Sequence, residues 1–145
     1  MIFSNRQNIE VVSNFINSYS ALFNAATNED ITIIFRTFQG SNSSNDPMIC
    51  YVNIIEYSEE MCNKLGLSEI EIFAMIAHEI GHILDKINKR TDTIPREICA
   101  DSMACVLGLK NAMISGLKKM IASNLYPNEN EMMNGRIEVL ERENQ

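Results

Sequence analysis

The sequence predicts an α+β fold in which a small β-sheet or hairpin precedes a mostly helical C-terminal half. Two runs rich in branched and aromatic residues, I-T-I-I-F-R-T-F (31–38) and M-I-C-Y-V-N-I-I-E-Y (48–57), read as strands around the polar stretch Q-G-S-N-S-S-N-D-P. Helical spacing of apolar residues before the first strand, and helix start and stop signals from residue 58 onward, supply the α part.

Over residues 7–26, Ile9, Val12, Phe15, Ile16, Tyr19, Leu22 and Phe23 recur at helical spacing and form one buried stripe. The two strands and their loop follow, so a hairpin across 39–47 is expected. Ser58 to Leu65 fits a short helix that stops at Gly66, and Ser68 with Glu71 forms a capping box for a long helix reaching about Asn88. Beyond K-R-T-D-T-I-P, Thr93 is a candidate cap and Pro95 suits a first helical turn, where a missing N–H costs least. Helical patterns then run from Arg96 to about Leu109, from 111 to 124 and from 130 to 142, with Gly108, Gly116 and Pro127 as punctuation. Neither a repeat nor a long linker interrupts this order, so one domain spanning 1–145 is expected.

With 46% hydrophobic and 21% charged residues, the chain has the balance of a globular protein. Twelve Lys+Arg against nineteen Asp+Glu leave a net charge of −7, which argues against a nucleic-acid partner because phosphate binding needs a positive surface. The acidic residues Glu129, Glu131, Glu138, Glu141 and Glu143 fit a solvated helix face. No apolar run nears the roughly 18 residues that span a bilayer, and M-I-F-S-N-R-Q-N lacks the form of a signal peptide. A cytoplasmic protein without a membrane span is therefore expected. Cys50, Cys62, Cys99 and Cys105 contain no C-x-x-C pair and read as reduced, buried, small apolar residues. A nucleophilic cysteine would need a histidine partner, and both histidines are engaged elsewhere.

Those two histidines stand in I-F-A-M-I-A-H-E-I-G-H-I-L-D-K-I-N, residues 72–88. At about 100° per residue, His78 and His82 share one face, whereas Phe73, Ile76, Ile80, Ile83 and Ile87 occupy the other. A histidine that only filled the core would point with the isoleucines; these point away from them, toward a cleft. Imidazoles at i and i+4 can both reach one cation at about 2.0–2.1 Å, the geometry of H-E-x-x-H in zinc hydrolases. Glu79 is turned to the flank of such a site, where it acts as general base for the bound water rather than as a ligand.

A catalytic zinc site needs a third protein ligand and an open position. Asp85 and Asn88 occupy the places where a glycine and a third histidine would complete one known class, which excludes that class. The next helix offers E-I-C-A-D, with Glu97 and Asp101 on one face beside the small residues Ala100, Ala104 and Gly108. Ala74 and Gly81 flank the histidine face in the same way, and small residues on both surfaces let two helices approach closely. A glycine inside a helix costs about 1 kcal/mol relative to alanine, so Gly81 calls for such a packing reason. His78, His82 and Glu97 are thus the expected metal ligands, with water in the fourth place. Asp101 would orient a ligand imidazole through its other N–H, and Asp92 or Asp101 is the alternative third ligand.

With H-E-I-G-H at 78–82 and E-I-C-A-D-S-M-A at 97–104, the chain resembles the gluzincin metallopeptidases. It is similar to the soluble minigluzincins, to the catalytic core of the CAAX prenyl protease and HtpX group, and to ImmA/IrrE-type proteases. The resemblance covers about 68–109, with N-G-R-I-E-V-L (134–140) similar to an R-I-x-x-L segment near the end of the prenyl protease group. It implies a zincin-like domain with Zn2+ on His78, His82 and Glu97, catalysis by Glu79, and orientation by Asp101. It also implies an edge strand that aligns an extended peptide substrate, best matched by 48–55. No third histidine is present to stabilise an oxyanion; Tyr51, Tyr57, Tyr126 and Arg136 are the candidates.

The expected function is therefore that of a soluble zinc-dependent peptidase that hydrolyses peptide bonds through a water activated by Glu79. The alternatives are a zinc-binding regulatory or scaffold protein that acts through a protein partner without proteolysis, and a metal-dependent hydrolase of another substrate. An intact Glu79 disfavours the scaffold, since a structural site needs no base there.

Overall fold

A computed structural model of the chain describes residues 2–5, 9–27, 31–38, 46–87 and 93–142. The architecture is the expected α+β, in the order β1 (Ile2–Asn5), α1 (Glu10–Ala26), β2 (Thr32–Phe38), β3 (Met48–Tyr51), β4 (Ile54–Ser58), α2 (Glu59–Leu65), α3 (Glu69–Ile87), α4 (Thr93–Val106), α5 (Lys110–Ala122) and α6 (Asn130–Arg142). Residue contacts gather the chain into two compact units, Met1–Lys64 and Leu65–Gln145.

The first unit holds a four-stranded sheet of order β1-β2-β4-β3. β1 and β4 both run parallel to β2, and β3 closes one edge antiparallel to β4. Parallel neighbours need a long crossover between them, which α1 supplies from β1 to β2. Period-2 alternation turns Ile33 and Phe35 of β2 and Ile55 of β4 inward, where with Val12, Phe15 and Phe23 of α1 they are fully buried. The opposite side carries Ile34 and Ile54 beside a polar cluster: Arg36 Nη1 donates to Tyr51 Oη at 3.1 Å, and that hydroxyl donates to Glu56 Oε1 at 2.6 Å.

Five expectations need correction here. The run 48–57 is two strands, not one, because the chain reverses at Val52–Asn53 and pairs Tyr51 with Ile54. This turn makes the hairpin, whereas β2 and β4 are parallel, so no hairpin joins the two runs across 39–47. The edge strand expected over 48–55 is correspondingly confined to 48–51. Val52 takes the turn at φ 54°, a region a branched residue rarely enters, and Asn53 ties the turn to β2 by donating to the Thr32 carbonyl. Leu22, placed on the buried stripe of α1, is instead 54% exposed. Of the cysteines only Cys62 is buried; Cys50, Cys99 and Cys105 are half-buried, and none of the four is in a disulfide. Burial pushes the Cys62 thiol up to about 12, which suits packing and not nucleophilic attack.

The second unit is helical. Ser68 and Glu71 form the expected capping box at the start of α3, Ser68 N–H donating to Glu71 Oε2 at 3.0 Å and Glu71 N–H to Ser68 Oγ at 3.3 Å. Gly66 at φ 68° and Gly108 at φ 75° end α2 and α4 in the left-handed conformation that glycine adopts without strain. α4 begins at Thr93, so this residue lies inside the helix and not in front of it as a cap. Gly116 lies within α5, where a Cβ would stand 3.1 Å from Met75 Cε of α3. It serves close packing and does not break the helix. Glu129, Glu131, Glu138 and Glu141 are exposed, as expected of a solvated face. The expected boundary at Asn88, the alternative ligand Asp92, the loop 39–45 and Glu143 lie outside the described residues.

Candidate metal centre

The centre is built where α3 and α4 touch. Gly81 makes the approach possible, since a Cβ there would meet the Ala100 carbonyl oxygen at 2.5 Å and Ala100 Cα at 2.7 Å. Ala100 and Ala104 are fully buried on the α4 side, so backbone rests against backbone and the longer side chains on either side converge. Glu97, one turn before Ala100, lands on the histidines.

His78 Nε2 lies 3.0 Å and His82 Nε2 3.2 Å from the same carboxylate oxygen, Glu97 Oε2. The two rings meet edge to face, with centroids 4.5 Å apart and planes at 87°. Among the described residues, His78, His82 and Glu97 offer ligand atoms that all lie within 4.8 Å of one another. Both histidines are nearly sealed, at 6% and 9% exposure, so the face expected to open on a cleft is largely covered and α3 is buried on both sides. Glu79 is less buried than its neighbours His78 and Ile80.

Behind His78 a second set of contacts settles which nitrogen points where. His78 Nδ1–H donates to Asp101 Oδ1 at 2.7 Å. Arg136 of α6 grips the same carboxylate with a planar fork, Nη2 donating to Oδ1 at 2.7 Å and Nε to Oδ2 at 2.9 Å. Arg136 Nη2 also stands 3.1 Å from His78 Nδ1. Both of these groups are donors satisfied by Asp101 Oδ1, so this is a close approach across a shared acceptor and not a bond between them.

The electrostatics follow from this crowding. Burial and the neighbouring Arg136 push the His78 imidazolium toward its neutral form, but Asp101 and Glu97 outweigh them and raise it to about 9. Burial would raise the Glu97 carboxyl, yet His78 and His82 hold it far below the ordinary carboxylate range. Asp101 likewise stays ionised despite its burial, held by Arg136 and His78. In this arrangement the imidazoles stand in for the cation as partners of Glu97.

The donor set suits zinc. Two imidazole nitrogens and a carboxylate oxygen converge on one point, one imidazole has its remote nitrogen occupied by an acid, and that acid is itself anchored. His78, His82 and Glu97 thus come together as the sequence leads one to expect, and Asp101 lies behind His78 and not in the ligand group. Of the oxyanion candidates, Arg136 is occupied by Asp101, Tyr51 bonds Arg36 and Glu56 on the sheet, and Tyr57 and Tyr126 are buried.

The Arg136–Asp101 fork was missed from the sequence, although a signal for it exists. Met133, Arg136, Ile137 and Leu140 are all buried and follow the i, i+3, i+4, i+7 spacing of one helix stripe. An arginine on an apolar stripe requires a buried anion. No protein-family model, curated protein or solved structure matches the chain, and the chemistry of the centre rests on its own residues.

Proposed function

We propose that the chain is a zinc-dependent peptidase of the gluzincin type, hydrolysing peptide bonds, and we place this activity in the cytoplasm, as expected from the sequence. The observation that carries the proposal is the meeting of one Glu97 oxygen with both Nε2 atoms of His78 and His82 while Asp101 holds His78 Nδ1. A purely structural acid–histidine cluster has no use for a further, partly exposed carboxylate beside it, and Glu79 is that carboxylate.

His78, His82 and Glu97 would hold Zn2+, which when bound supplies Lewis acidity toward a substrate carbonyl and toward water. Asp101 keeps the His78 Nδ1–H tautomer and so aims the Nε2 lone pair at the ligand position. Glu79 takes the proton of the attacking water and passes it to the leaving amine, so no covalent bond forms between chain and substrate. Glu97 must be ionised to act as a ligand, and its neighbours already keep it so. Among the described residues no helix is long and apolar enough to cross a membrane.

The test is digestion of a peptide library by the zinc-loaded protein, with new termini read by mass spectrometry, beside Glu79→Gln. Cleavage at recurrent bonds, lost in Glu79→Gln although zinc is retained, is the expected result. If neither protein cleaves while both hold zinc, the site serves a scaffold or regulator acting through a protein partner, and the peptidase reading fails.

A further inference from the structure

We propose that Arg136 is a positioning residue of the metal centre, through which the docking of α6 sets the metal affinity of the ligands on α3 and α4. The inference rests on the metal reading above and extends it to a residue and a helix outside the motif.

The geometry is specific. Asp101 is 2% exposed, and each of its oxygens accepts from Arg136, at 2.7 and 2.9 Å, while Oδ1 also accepts from His78 at 2.7 Å. A fork on both oxygens fixes the plane of the carboxylate, and the plane fixes the direction from which Oδ1 meets the imidazole. Arg136 itself is 7% exposed, so α6 must be seated for the fork to form. With Arg136 gone, a sealed carboxylate is left with His78 alone and is free to rotate, which loosens His78.

Charge balance points the same way. A dication held by His78, His82 and Glu97 would stand among three carboxylates, those of Glu97, of Asp101 behind His78 and of Glu79 next to His78 in the chain, one negative charge more than it neutralises. Arg136 supplies the missing positive charge, its Nη1 standing 3.9 Å from Glu97 Oε2. The guanidinium is suited to this because it stays charged when buried and its planar donors match a carboxylate, neither of which lysine matches in full.

The experiment measures zinc dissociation constants by competition with a chromogenic chelator, and the absorption spectrum of the cobalt(II) form. Arg136→Gln should weaken zinc binding about 10–100-fold, the range for partners that orient a ligand, and Arg136→Lys should recover part of that loss. Asp101→Asn combined with Arg136→Gln should bind no more weakly than Asp101→Asn alone, because both act through one carboxylate. Leu140→Ala removes a side chain 2% exposed on the same stripe of α6 but leaves the fork's own groups in place; it should lower thermal stability while weakening zinc far less than Arg136→Gln does at temperatures where the chain stays folded. Should Arg136→Gln fail to fold, Arg136→Lys and the cobalt spectrum carry the comparison. Wild-type affinity in the Arg136 variants, or losses that add with that of Asp101→Asn, would overturn the inference. Absence of zinc binding by the wild-type chain would instead overturn the metal reading beneath it, so the two failures are told apart.

Discussion

His78 has two nitrogens in two different duties, one donating to Asp101 and one facing Glu97 and His82. Without a metal it holds a proton up to about pH 9, and zinc must displace that proton. Zinc affinity should therefore weaken about tenfold per pH unit on going down from pH 9 toward neutrality, which chelator competition across that range would show; a flat profile would contradict the assignment of Nε2 as a ligand. The stability of the metal-free chain follows the opposite sense. A folded pKa raised from 6.5 contributes stability in full below pH 6.5 and loses it as pH rises through 9, so chelated protein should lose roughly 3 kcal/mol or less over that interval in denaturant titrations. Zinc-loaded protein should not show the loss. Glu97→Ala should reduce zinc affinity beyond the roughly 10–100-fold typical of orienting partners, since it removes a ligand. At this scale the candidate ligands were legible because His78 and His82 stand one turn apart on α3 and Glu97 shares a face of α4 with Asp101 and small residues, patterns that local sequence encodes. Arg136 was not, because its partner Asp101 is 35 residues away and only tertiary packing brings them together.

At the scale of elements, α3 is secured at both ends of its buried run by contacts of different kinds. At its start Glu71, 5% exposed, accepts from Ser68 N–H, from Ser115 Oγ at 2.7 Å and from Lys119 Nζ at 2.9 Å, which ties α3 to α5. Burial would raise the Glu71 carboxyl, but Lys119 and Ser115 hold it below its ordinary value. Its contribution is thus present at neutral pH and lost as pH falls through the lowered value. Glu71→Ala should cost about 2 kcal/mol, combining a lost cap with a part-buried Ser115 hydroxyl left without its acceptor, as read by chemical denaturation at pH 7. Near the centre, Gly81→Ala should destabilise by about 1–3 kcal/mol, because overpacking against Ala100 exceeds the gain of about 1 kcal/mol in helix propensity. A stabilised Gly81→Ala protein would mean that α4 does not approach as described. Capping residues and small-residue faces are local signals, and they placed both ends of this account from sequence. The Val52–Asn53 turn was illegible for the complementary reason: it contains no glycine or proline, and a valine at φ 54° is a conformation that its side chain disfavours.

For the whole molecule, the α+β class followed from the order of periodicities, whereas strand order did not. β1 is only four residues long, too short for alternation to show, and the parallel pairings of β2 with β1 and with β4 are set by tertiary packing and not by any local pattern. The proposed metal centre is where the second unit would act as a whole, since α3 and α4 carry the candidate ligands and α6 the arginine behind them. A ligand that binds only the folded state adds stability by mass action, about 4 kcal/mol at a thousandfold excess over its dissociation constant, so chelation should lower the thermal midpoint and zinc should restore it. The most direct measurement is elemental analysis of the purified chain beside His82→Ala. One zinc per chain, lost in His82→Ala, is the predicted result; a wild-type chain without stoichiometric metal, or a His82→Ala chain that keeps it, would contradict the assignment of His78, His82 and Glu97 as a metal centre.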